Sequence, residues 1–108
     1  MKAEKQVIYY SLKSYISMIR LNVFIQVEEK NYDAVVAAAK ELVAASLNDK
    51  GCVAYDLFQS ATRSEVLMIC ETWADAASLS AHEAASHFTT LVPKIQELAA
   101  MKLEKFEF

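Results

Sequence analysis

At 108 residues the chain has room for one core, and its net charge of −3, from 11 Lys and Arg against 14 Asp and Glu, is wrong for a phosphate-binding surface, so nucleic acid is not an expected partner. Hydrophobic residues make up 55%, above the roughly 45–50% usual for globular chains, which predicts that part of the surface is hidden in a partner. The single glycine, Gly51, rules out a Gly-rich phosphate loop or dinucleotide turn, and no apolar run approaches the ~20 residues that span a bilayer, so no membrane association is expected.

In residues 1–17, Gln6, Ser11, Lys13 and Ser14 interrupt any apolar stretch and no export signal is legible. Val7 to Tyr10 has the composition of a short strand but no strong period. These residues are read as an extension preceding a domain over 18–108. From Ile19 to Val27 the chain alternates, with Leu21, Val23, Ile25 and Val27 on one face and Arg20, Asn22, Phe24 and Gln26 on the other, which predicts a strand. Asn31 is placed to cap the next element, where Val35, Val36, Ala39, Leu42, Val43 and Leu47 recur at helical spacing up to a stop near Asn48 to Gly51.

Cys52 to Ser60 and Glu65 to Trp73 are rich in β-formers and flank a polar segment, predicting a hairpin turning near residues 62–63 with Cys70 opposite about Tyr55. The two cysteines should then stay apart as reduced thiols, in keeping with a cytoplasmic protein. Asp75 can cap a short helix to about Ala85, and Ser86 and His87 mark a break. Phe88, Leu91, Val92, Ile95 and Leu98 form a second helical stripe, in which Pro93 is tolerable only near the first turn. Met101 to Phe108 alternates as a last strand. The order β-α-β-β-α(α)-β is the split βαβ plan of an α+β, ferredoxin-like fold: a four-stranded antiparallel sheet with helices on one face and a partner's sheet on the other.

Most chemistry-bearing side chains fall between Glu71 and Phe88. Glu71 and Trp73 share a strand face by parity, His82 lies three residues after Leu79 on the buried side of its helix, and His87 sits at the break. A strand-end Trp and a His beside a Leu stripe are also what ordinary core packing places there. His82 and His87, five apart across a break, lack the i, i+4 spacing of a helical metal pair, so no metal is expected.

Glu71-x-Trp73, a helix, then His82-x4-His87-Phe88, preceded by Gly51-Cys52-x-x-Tyr55, resembles the antibiotic biosynthesis monooxygenase (ABM) family of small quinol monooxygenases, over about Met18 to Phe108. The resemblance implies a homodimeric α/β barrel and a cofactor-independent oxidation of a small aromatic or quinol-like substrate by molecular oxygen. It implies that Asn22, Trp73 and His82 line a cavity between sheet and helices, that His87 and Phe88 close its side, and that Tyr55 and Glu71 contact substrate. His82 would serve as base, Asn22 would orient a substrate oxygen and Trp73 would stack on the ring. Members with the same string also include an enzyme processing the phosphorylated autoinducer-2 signal, so an isomerase is a second expectation and a non-catalytic ligand-binding dimer a third. The sequence lacks the additional arginine after the third strand seen in the polyketide-oxidising branch.

Overall fold

In the computed structural model, which describes residues 17–108, the alternation from Ile19 becomes β1 (Ile19–Gln26). Ile19, Leu21, Val23 and Ile25 are buried on one face, and Arg20, Asn22 and Phe24 are partly covered on the other. The expected N-terminal extension falls, but for Ser17, outside the described residues. Helix α1 (Glu29–Ser46) buries Val35, Ala38, Ala39 and Leu42. It begins three residues earlier than a cap at Asn31 would allow, because Glu28, in extended conformation, already accepts the Asn31 N–H on its carbonyl. Asn31 instead donates its side-chain amide to the Leu98 carbonyl at 3.2 Å, tying α1 to a later helix.

After α1 the chain turns through Gly51, whose φ of +81° is a conformation that costs glycine no Cβ clash. A side chain there would also run into Ser78. The hairpin β2 (Cys52–Gln59) and β3 (Val66–Trp73) forms as expected. A register shift between Cys52 and Ala54 sets Tyr55 opposite Glu71 and Asp56 opposite Cys70, one residue from the pairing expected for Cys70. Both cysteines are free thiols.

Asp75 caps α2 (Ala76–Ala84), accepting the Ser78 N–H at 2.8 Å. The break comes at extended Ala85, so Ser86 and His87 are already in the first turn of α3 (Ser86–Leu98). Pro93 is therefore well inside α3 and not in its first turn as expected. The carbonyl it deprives of a donor belongs to Thr89, which like Pro93 is exposed and can bond water, while Leu91 and Ile95 hold the helix to the core.

Strand β4 (Ala100–Glu107) completes an antiparallel sheet of order β2-β3-β1-β4, the ferredoxin-like arrangement. The core lies between this sheet and the three helices, with Trp73, Ile25, Leu42, Leu67, Ile69 and Ile95 as its largest wholly buried apolar side chains, each contributing roughly 1.5–3 kcal/mol of burial. On the opposite sheet face Phe58 and Phe106 stay about half exposed. No helix among the described residues is long and apolar enough to cross a membrane.

Candidate active site

Strand pairing and one helix turn bring the site together. Tyr55 on β2 and Leu21 on β1 both pair with Glu71 on β3, so all three project from the helix-covered face. Trp73, at the end of β3 on the same face, is 0% exposed and donates its indole N–H to Glu71 Oε1 at 2.7 Å. From α2, His82 enters beside Leu79 and stacks at a tilt on Trp73, ring centroids 4.4 Å apart. Tyr55 at 5.5 Å and Phe88 at 5.2 Å meet the imidazole edge-on, so His82 stands in a box of three aromatic rings. A cavity of about 280 Å³ opens next to it, walled by Tyr55, Glu71, Leu79, His82, Glu83 and Phe88 with Leu21, Val23 and Leu103 among the apolar contributors.

Asp49, in the loop after α1, ties the histidines together. Its Oδ2 lies 2.8 Å from His82 Nδ1 and 2.8 Å from His87 Nε2. Burial alone would push the Asp49 carboxyl up, but the two imidazoles beside it hold it below its ordinary value. Burial is also the larger influence on His82 and lowers its pKa below 6.5 despite Asp49, so the ring is neutral at pH 7. Its Nε2 is buried with no hydrogen-bond partner. Such an unmet polar atom costs about 1–3 kcal/mol, a cost that a bound ligand would remove.

Desolvation raises Glu71 to about 7, although the Trp73 N–H and the neighbouring Tyr55 hydroxyl favour its anion. Near neutral pH both its protonated and its ionised forms are therefore available. Burial, with the Glu71 charge second, pushes the Tyr55 hydroxyl up so that it remains a donor.

His82, Tyr55, Glu71 and Phe88 are placed on the cavity wall. Trp73 lies behind His82, stacked on the imidazole, and is not among the residues that wall the cavity. His87 is 19% exposed and reaches His82 through Asp49. The expectation for Asn22 is corrected: strand parity turns it to the other sheet face, where it pairs with Cys70 and Glu104, because its neighbours Leu21 and Val23 occupy the inner face. Asp49 escaped sequence reading, since the stretch Asn48 to Gly51 has turn composition and its partners lie 33 and 38 residues away.

Asp49, His82 and His87 are also the described residues that come nearest to a metal-ligand set, with donor atoms within 4.8 Å of one another. The 2.8 Å separations are hydrogen-bond lengths between each imidazole and the carboxylate. Larger hollows elsewhere, of about 320, 370 and 480 Å³, are lined by no buried titratable group.

Residues 18–94 match the family described as Antibiotic biosynthesis monooxygenase. The Bacillus subtilis (strain 168) protein named "Putative monooxygenase YcnE" is 30% identical over 87 residues, covering 81% of this chain and 92% of its own. A crystal structure of a conserved protein of unknown function from Bacteroides thetaiotaomicron VPI-5482, described as a possible oxidoreductase, shares 61% identity with a TM-score of 0.84, over 85% of this chain and 98% of that one. A crystal structure described as an antibiotic biosynthesis monooxygenase aligns at 28% identity and a TM-score of 0.74, over 83% of this chain and 95% of its own. With the match running from β1 into α3 and the fold in agreement, this chain belongs to the antibiotic biosynthesis monooxygenase family.

Proposed function

We propose that the protein is a cofactor-independent monooxygenase that oxidises a small phenol or quinol with molecular oxygen, and that His82 Nε2 is its base. The observation that carries this reading is the unpartnered Nε2 of a neutral, buried imidazole on the wall of a cavity shared with Glu71, Tyr55 and Phe88. A base in a water-poor, aromatic site needs an acidic O–H to work on, and phenols supply one.

In the reaction, Nε2 takes the phenolic proton and the phenolate passes one electron to oxygen. The resulting superoxide and phenoxyl radical join at a ring carbon, and the imidazolium returns its proton to the peroxide. Removal of that carbon's hydrogen then breaks the O–O bond, leaving a new C=O on the ring and one water. Two hydrogens leave the substrate and one oxygen atom enters it, so no outside reductant is required. Glu71, whose carboxyl burial raises to about 7, offers in its protonated form a hydrogen bond to the oxygen that becomes negative.

Glu71 and His82 on one wall also form the proton-transfer pair an isomerase would use. The cavity wall includes two glutamates and no Lys or Arg, which disfavours a phosphorylated substrate. Oxygen uptake with a panel of hydroquinones and flavonoid-like phenols, run beside anaerobic incubation with a phosphorylated dicarbonyl, tests the choice. Turnover is expected only in the first, with an acid limb at an apparent pKa below 6.5. His82→Gln should lower kcat by about 10²–10⁴ with little change in melting temperature. Product formed without oxygen, or a fully active His82→Gln, would overturn the reading.

The working unit in this proposal is a homodimer. Phe24, Phe58, Met68 and Phe106 lie on the sheet face away from the helices, and a second sheet would cover them.

A further inference from the structure

We propose that Asp49 is the positioning residue of the site: it holds His82 as the Nδ1–H tautomer, so that the nitrogen left unprotonated is the buried, unpartnered Nε2 of a ring on the cavity wall, and His87 anchors Asp49 from the solvent side. This deepens, and rests on, the reading of His82 as base. An ionised carboxylate can only accept hydrogen bonds, and the two imidazoles keep Asp49 ionised. Two bonds of 2.8 Å to the same Oδ2 therefore require an N–H on His82 Nδ1 and on His87 Nε2. A neutral imidazole has one N–H, so His82 Nε2 carries a lone pair. That atom is buried and unpartnered. The tautomer useless for proton abstraction would leave Asp49 facing a second lone pair.

The loop is built to hold Asp49 still. Its N–H donates to the Ser46 carbonyl at 3.0 Å, its carbonyl accepts from Cys52 N–H at 3.1 Å, and the Gly51 carbonyl accepts from Ala74 N–H at 2.8 Å. Gly51 packs so closely on Ser78 that the loop is seated against the helix bearing His82. His87, on the next helix, is 19% exposed against 1% for His82, so the carboxylate bridges a buried ring to one near solvent.

Long-range ¹H–¹⁵N correlation of the histidine rings in the full chain at pH 7.5 reads the tautomer without any substrate. His82 is expected with a protonated Nδ1 and an unprotonated Nε2. In Asp49→Asn the amide can donate as well as accept, so the Nε2–H form should appear and kcat should fall about 10²-fold or more, with KM and melting temperature held. Asp49→Glu should recover part of the loss, and His87→Gln should cost less than Asp49→Asn. An Nε2–H ring in the unmodified protein, or an Asp49→Asn with full kcat beside an inactive His82→Gln, would overturn the role of Asp49 while leaving the base in place. An active His82→Gln would instead remove the base, whatever the tautomer. A shift of both ring signals with equimolar Zn²⁺ would make the cluster a metal centre and also overturn the assignment.

Discussion

At the residue scale, Glu71 shows how burying a carboxyl ties stability to pH. Its carboxyl is 4% exposed, accepts the Trp73 N–H and titrates near 7, where an exposed glutamate titrates near 4.5. The folded state thus binds this proton more tightly than the unfolded chain. Its contribution is fully present below pH 4.5 and is lost as pH rises through 7, a loss of about 3 kcal/mol. Gln at this position keeps an oxygen for the indole N–H but has no proton to lose. Glu71→Gln should therefore be more stable than the unmodified protein at pH 8, with the advantage shrinking toward pH 5. Urea titrations across that range measure it, and parallel pH profiles for the two proteins would contradict the account.

At the element scale, the loop between α1 and β2 does more than reverse the chain. Gly51 lets it turn at φ +81° and approach Ser78, and this placement puts Asp49 against both histidines. Gly51→Ala combines a left-handed backbone with a collision, and should cost about 1–3 kcal/mol. For a domain of this size that is roughly 4–8 °C of melting temperature per kcal/mol. Activity should fall as well, because the loop that moves carries Asp49. Lys50→Ala, an exposed neighbour, is the control and should change neither. A Gly51→Ala protein that melts normally and turns over normally would show that the close approach is not needed.

At the scale of the whole molecule, the two sheet faces have different fates. One is closed by helices, and the other leaves Phe58 and Phe106 half exposed beside Phe24 and Met68. The chain is expected to sediment as a dimer at micromolar concentration, and a Phe58→Lys/Phe106→Lys variant as a monomer with unchanged far-ultraviolet circular dichroism. A monomeric unmodified protein would exclude sheet-to-sheet pairing.

Much of this architecture was legible before any coordinates, because alternation and helical spacing are local patterns. They marked all four strands, the three helices and the Asp75 cap, and the spacing from Glu71 to Phe88 identified the family. Where local rules stopped, tertiary contacts decided. Alternation separates two faces of β1 but does not say which one the helices cover, and the packing of Leu21 and Val23 turned Asn22 away from the cavity. Local rules tolerate Pro93 only near a helix's first turn, yet burial of Leu91 and Ile95 carries α3 through it. Asp49 could be found only in three dimensions, because a hydrogen bond between residues 33 positions apart depends on how a loop and a helix dock, and no periodicity records that.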